Sequence, residues 1–409
     1  ASPAPWRTRS TRWWHSGMGI EALTRDDAGN DVTPRSSDDW RGWVSATATR
    51  NYMMKNTLAD WLDLYGEKAG FTRDTAMHGH DRRTDFTLFI FRQGNAFETA
   101  VVRHVETLVP MVSIARGPSA ARNVRRAEET FEAMRAGEQI IYQGVLWDAE
   151  NRTYGAPDFL VRSDVLLSLF PSTITDEEAR RPAPDIGADS WHYIVVDVKF
   201  TTLSLLAGGG VGNSGSSPAY KIQLFIYNRA LGWLQGYEPN TAFLLGRGWR
   251  QRVRGTDSSS ENAMDRLGPI KMDVPLGVDT DAAVGWVRRL RNDGRGWAPL
   301  PSPTVPELWP NMKADSDFPW HDAKKRVADE LEDLTLLWWV GKDKRDAAVN
   351  SGLTRWTDPR VTPATMGVTG GNTEPTLARL LEVNRADDGP LVAPDRVHAA
   401  EGEWRAKPP

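Results

Sequence analysis

Four groups of polar residues stand in segments whose apolar patterning reads as buried: Glu98, Pro157-Asp158, Asp197-Val198-Lys199, and Gln223 with Tyr227. Carboxylates and an ammonium are costly in such places unless a partner or a task holds them. Asp197 and Lys199 are two residues apart, so an extended strand aims both at one side. Gln223 and Tyr227 are one helical turn apart and can face one pocket. A hard cation such as Mg²⁺ takes oxygen ligands and keeps waters, so two or three carboxylates suffice to hold it. A cation on a phosphate, an activated water and a neutralised leaving oxygen are what phosphodiester hydrolysis requires. On that scheme Asp158 and Asp197 ligate Mg²⁺ or Mn²⁺, the Val198 carbonyl adds a third oxygen, and Glu98 approaches from a neighbouring helix. Lys199 would position the attacking water or stabilise the pentavalent phosphate. Its protonation state stays open, because desolvation lowers an amine's pKa and nearby carboxylates raise it. Gln223 and Tyr227 can hydrogen-bond a water, a phosphate or a metal ligand from behind.

These side chains need elements to position them. Phe97, Val101 and Val105 form one apolar stripe and Glu98 borders it, which predicts a helix starting near Gly94. Glu98 then reads either as a site residue or as a solvated carboxylate of the first helical turn. His104 lies further along the same helix. Residues 125–137 predict a helix ended by Gly137. Ile140–Trp147 reads as a strand, the turn 148–154 follows, and Pro157–Arg162 returns as a second strand. Trp191–Phe200 alternates, with Tyr193, Val195, Asp197 and Lys199 on one face and Ile194, Val196, Val198 and Phe200 on the other. A Gly/Ser-rich loop spans 207–217. A helix over 219–234 carries Gln223 and Tyr227, and Thr241–Leu245 reads as a short buried strand. The predicted order is helix, strand, strand, strand, helix, strand.

The pieces GxxFE (Gly94–Glu98), PD (Pro157-Asp158), DxK (Asp197–Lys199) and QxxxY (Gln223–Tyr227), in that order, resemble the RecB-type branch of the PD-(D/E)XK nucleases. The resemblance covers about residues 90–250. It implies a restriction-endonuclease-like α/β fold with an αβββαβ core and a mostly helical C-terminal region. It also implies Mg²⁺ or Mn²⁺ bound by the acidic residues, a catalytic lysine, and DNA as substrate, with RNA meeting the same chemistry. Exonuclease action is favoured over endonuclease action. The competing reading is a non-catalytic DNA-binding or assembly module that retains the fold. Many members of the branch hold a cysteine-ligated iron–sulfur cluster. This chain has 0 cysteines, which excludes such a cluster, disulfides and thiolate zinc sites.

The bulk composition constrains little else. The 409 residues are 40% hydrophobic and 25% charged, enough for one large or several ordinary globular domains. The net charge of −4 makes no global case for nucleic acid, so contacts must come from local basic patches. No apolar run reaches membrane length, and no signal peptide is read at the start, giving an expectation of an intracellular, cytoplasmic protein without membrane contact. The sequence opens on Ala1 rather than methionine, consistent with a fragment or processed chain.

Two basic segments are candidate DNA contacts. Arg247, Trp249 and Arg250 follow the last core strand, where cations and an indole could track a backbone and stack a base, or form an ordinary surface loop. Gly341, Lys342, Lys344 and Arg345 lie in a stretch, 336–358, that resembles a helix-hairpin-helix element. There a glycine turn would offer backbone N–H groups to a phosphate; the plain alternative is a helical hairpin. Arg288, Arg289 and Arg291 read as a solvated helix face. His78 and His80 read as surface residues. The expected organisation is an irregular arm (1–44), a nuclease core (45–250), a partly helical connection (251–330), the hairpin-like element (331–370) and a loosely ordered tail (371–409).

Overall fold

The computed structural model describes residues 21, 23–76, 81–82, 85–115 and 117–386. His78, His80, residues 1–20 of the expected arm and residues 387–409 of the expected tail lie outside the described residues. The described residues fall into two compact units, one within Ala1–Met54 and Met77–Gly296, the other within Lys55–Ala76 and Trp297–Pro409. The boundaries differ from those expected in two places. Residues 251–296 join the first unit because they add strands and a helix to its sheet, and residues 55–76 join the second through hydrogen bonds such as Thr57 to the Glu307 carbonyl and Asn56 to the Ser316 carbonyl.

The first unit is mixed α/β. Its helices are α1 (Phe86–Leu108), α2 (Val124–Ala136), α3 (Ser217–Gln235) and α4 (Val274–Asp293). Its strands are β1 (Met111–Ser113), β2 (Ile140–Tyr142), β3 (Leu146–Asp148), β4 (Thr153–Gly155), β5 (Phe159–Arg162), β6 (Tyr193–Leu205), β7 (Thr241–Val253), β8 (Thr256–Ser260) and β9 (Gly268–Lys271). Seven strands form one sheet in the order β9-β7-β6-β5-β2-β1, with β8 paired to β7. β2 and β5, and β5 and β6, are antiparallel; β6 and β7 are parallel, which requires the α3 crossover. Strands β3 and β4 pair in a separate three-stranded sheet with Val44–Ser45.

Several elements run differently from the expectation, each for a local reason. Helix α1 begins at Phe86, not near Gly94: the Asp85 carboxylate caps it by accepting from the Leu88 amide, and an interior glycine costs only about 1 kcal/mol. Glu98 therefore sits mid-helix, away from the helix N-terminus. The run 140–147 splits into β2 and β3 at Gln143, whose φ of 50° breaks the extended backbone. Strand β7 continues through Arg247–Val253, where a loop was expected, because β8 hydrogen-bonds along it from Trp249 to Val253. Thr256–Ser260 returns along it to form that hairpin.

One face of the sheet, with Ile194, Val196, Val198, Phe159, Phe243 and Leu245, packs on Val101 and Val105 of α1. Helix α3 covers the opposite face, where the Gln235 amide takes both main-chain groups of Tyr193. Arg288 of α4 was read as solvated. It instead donates to the carbonyls of Gly42, Asn151 and Arg152, and Arg291 donates to those of Trp40 and Trp43 at 3.4 and 2.6 Å. A guanidinium has five donors and meets several carbonyls at once, so these arginines staple the Trp40–Trp43 segment.

The second unit holds Thr57–Trp61 and the helices α5 (His321–Leu331), α6 (Lys342–Asn350) and α7 (Thr373–Arg385). Helix α5 ends at Leu331, where Glu332 takes a left-handed φ of 50°. Helix α7 occupies part of the range expected to be loosely ordered, held by buried Leu377 and Leu381. Among the described residues no helix is long and apolar enough to cross a membrane.

Candidate functional site

Asp158, Asp197 and Lys199 meet where β5 and β6 part. The register pairs Phe159 with Val196, and one step further Asp158 stands opposite Asp197. Pro157 precedes it and has no N–H to donate, so the ladder stops there. The Asp158 side chain replaces the missing strand: its Oδ2 accepts from the Val198 amide at 2.7 Å. The result is a carboxylate fixed at the mouth of a strand divergence, beside a second one.

Asp197 is 1% exposed and its Oδ2 forms an ion pair with Lys199 Nζ; no other donor among the described residues reaches that oxygen. Both side chains lie on the α3 side of β6, as the alternation predicts. Burial, followed by the charges of Asp197 and Glu98, pushes the Asp158 carboxyl well above the usual carboxylate range, against the pull of Lys199. Burial alone would lower the Lys199 amine, but Asp197 and Asp158 outweigh it and hold Lys199 above its ordinary value. The protonation state left open by the sequence is thus that of an ammonium.

Gln223 and Tyr227 face this group from α3. Gln223 Nε2 donates to the Tyr227 hydroxyl at 2.9 Å, and burial followed by the Asp197 charge pushes the Tyr227 phenol up. Gly155 of β4 makes room for the ring: a Cβ there would lie 2.3 Å from Tyr227 Cε1. Tyr220, one turn before Gln223, places its ring centroid 5.4 Å from Lys199 Nζ. The sequence reading missed Tyr220, although its i, i+3, i+7 spacing with Gln223 and Tyr227 marks one helix face.

Glu98 reaches the group from α1. Its Oε1 accepts from the Tyr142 hydroxyl at 2.7 Å and from Gln143 Nε2 at 3.1 Å. Burial, followed by Glu98, raises the Tyr142 phenol, which therefore stays a donor. The Gln143 amide N–H donates to the Asp158 carbonyl at 2.8 Å. Tyr142 and Gln143 gave no signal in the sequence because their role depends on β2 lying between α1 and β5. His104 is exposed and lies off the Glu98 face of α1.

The donors here are hard oxygens, which fit Mg²⁺ or Mn²⁺ in kind. Burial and then the Asp197 charge raise the Asp158 carboxyl, and the repulsion between the two carboxylates is what a divalent cation would relieve. The arrangement is partial, however: among the described residues no group of three or more His, Asp or Glu side chains is gathered to hold a metal ion. Glu98 is tied to Tyr142 and Gln143, and Lys199 occupies Asp197.

The basic candidates divide. Arg247 and Arg250 are exposed on β7, each donating from Nε to a hydroxyl of β6, Thr202 at 3.2 Å and Ser204 at 3.0 Å. The Trp249 ring is half-buried, with the Arg266 guanidinium 5.2 Å from its centroid. In the second unit Gly341 precedes α6, but the cations beside it are engaged. Arg345 is 1% exposed and donates to the Pro310 carbonyl, which withdraws it from any surface contact. Lys342 pairs with Asp346 at 2.5 Å, and Lys344 donates to the Gly367 carbonyl at 2.8 Å. Residues 336–358 contain the single α-helix α6 rather than two.

No protein-family model, curated protein or solved structure matches this chain.

Proposed function

We propose that this chain is a metal-dependent deoxyribonuclease with a restriction-endonuclease-like core, attacking DNA from its ends. The observation that carries the reading is the meeting of Asp158, Asp197 and Lys199 at the β5–β6 divergence, with Glu98 and Tyr227 directed at the same place. Asp158 and Asp197, with the Val198 carbonyl, would hold Mg²⁺ or Mn²⁺, and Glu98 would assist. When bound, such an ion supplies Lewis-acid activation of the scissile phosphate. The Lys199 ammonium neutralises charge on the phosphate and orients a water, and Tyr227 with Gln223 fixes the side of the site facing α3. Arg247 and Arg250 supply sequence-independent attraction for the DNA backbone.

The deciding experiment is a cleavage time course on end-labelled linear DNA and covalently closed circles with Mg²⁺ or Mn²⁺. Shortening of linear DNA alone, abolished by Asp197→Ala and by Lys199→Ala, is expected. Nicked circles would make it an endonuclease, and cleavage unchanged in both variants would end the assignment.

A second reading is favoured by the partial donor set: a DNA-binding or assembly module that keeps the fold without catalysis. Mn²⁺ titration separates the two. The nuclease should bind Mn²⁺ and lose that binding in Asp158→Ala; a module without catalysis has no use for the ion.

A further inference from the structure

Lys199 shares the Tyr220 ring with a second cation. The ring centroid lies 5.4 Å from Lys199 Nζ and 6.0 Å from the Arg50 guanidinium. Arg50 is distant in sequence and stands outside the 90–250 stretch that carries the nuclease resemblance. A short, fixed segment brings it here. Ala46 and Thr49 are buried, the Thr49 hydroxyl donates to the Ala46 carbonyl at 2.7 Å, and Arg50–Met53 forms a single helical turn. From that turn Arg50 Nη2 donates to the Ser216 hydroxyl at 2.9 Å, at the residue that precedes α3.

For a cation this is an unfavourable place unless an anion joins it. A helix N-terminus carries partial positive charge; α3 runs for 19 residues from Ser217, and its first turn holds no acidic residue. Lys199 adds a full charge on the same ring. Among the described residues no carboxylate pairs with Arg50, whereas Arg162, Arg229 and Lys199 each have one. Arg50 is partly buried, and the Ser216 bond engages only one of the five N–H donors of its guanidinium. A planar fork of free donors at a helix start suits the oxygens of a phosphate.

We infer that Arg50 is a phosphate-binding residue of the candidate site, holding the backbone phosphate adjacent to the one that is cut. The inference rests on the nuclease reading and gives its site a residue from the N-terminal segment. Lys199 meets the scissile phosphate and Arg50 the adjacent one. Two phosphate contacts on one strand fix its register over Asp158 and Asp197 without reading its sequence.

The test follows cleavage of linear DNA by the full chain with Mg²⁺, as kcat/KM over a range of salt concentrations. Arg50→Gln removes one phosphate contact and is expected to reduce the slope of log kcat/KM against log salt by about 1. Arg50→Lys keeps the charge and is expected to keep the wild-type slope, which a merely structural role for the guanidinium would not produce. A second arm replaces single phosphates beside the cut with neutral methylphosphonate linkages. One such linkage is expected to lower wild-type kcat/KM about tenfold and to cost Arg50→Gln nothing further, since its contact is already gone. A slope unchanged in Arg50→Gln, an equal penalty from every neutral linkage in wild type and variant, or a wild type indifferent to all of them overturns the role of Arg50 and leaves the nuclease reading standing. Absence of cleavage by the wild-type chain overturns both.

Discussion

Gln143 Nε2 donates to Glu98 Oε1 at 3.1 Å across the gap between β2 and α1, while its own backbone N–H is held by the Asp158 carbonyl at 2.8 Å. One residue thus ties the helix carboxylate to the strand that carries Asp158. It does so from a left-handed backbone, φ 50°, a conformation that costs a non-glycine residue energy and persists only where its surroundings enforce it.

Replacing Gln143 with Gly separates the backbone from the side chain. Glycine adopts this φ without strain, so the Gln143→Gly variant should unfold within about 1 kcal/mol of wild type in urea. Loss of a hydrogen bond to a charged acceptor leaves Glu98 held by Tyr142 alone, and on the nuclease proposal cleavage should drop about tenfold. Unchanged cleavage at wild-type stability would show that Glu98 needs no such hold.

Asp158 and Asp197 should respond oppositely to the same change. Asp158 holds its proton more tightly in the fold than in the unfolded chain, so above the ordinary carboxylate range folding is opposed by a demand for that proton. Asp158→Asn removes that demand and keeps an acceptor for the Val198 amide. Metal-free unfolding in EDTA should find it neutral or up to about 1 kcal/mol more stable. Asp197→Asn leaves the Lys199 ammonium without its partner and should cost about 3 kcal/mol. Equal destabilisation by both would contradict the charge distribution described here.

Gly155 is a test of the Tyr227 position. In Gly155→Ala the new methyl would meet the ring, so Tyr227 must move or the strand must shift, at about 1–3 kcal/mol. Adding Tyr227→Ala should recover much of that stability without restoring cleavage. A crystal structure of Gly155→Ala with Tyr227 unmoved would refute the contact.

His192 sets a pH dependence far from the site. Its ring is buried against Tyr237, centroids 4.7 Å apart, and burial lowers its pKa below 6.5, with Glu178 opposing. The folded state holds it neutral, while the unfolded chain takes up a proton as pH falls through about 6.5. This contribution to stability is therefore complete above that pH and lost below it. Urea midpoints at pH 7.5 and 5.5 should differ less in His192→Asn than in wild type, whatever the variant's own cost.

Much of the site could be read without coordinates. The alternation in 193–199 put Asp197 and Lys199 on one face, and helical spacing put Gln223 and Tyr227 on another, because periods of 2 and 3.6 are local properties. The lack of cysteine excluded thiolate chemistry outright. The partners of Glu98 could not be read, since Tyr142 and Gln143 reach it only through the stacking of α1 on β2. Nor could the fate of the arginines. Arg247 and Arg250 stay exposed on a strand that looked like a loop, while Arg288, Arg291 and Arg345 are spent on main-chain carbonyls. A side chain's type and spacing are written along the chain. Whether its charge faces water, a carbonyl or a second carboxylate depends on elements distant in sequence, and only tertiary packing decides that.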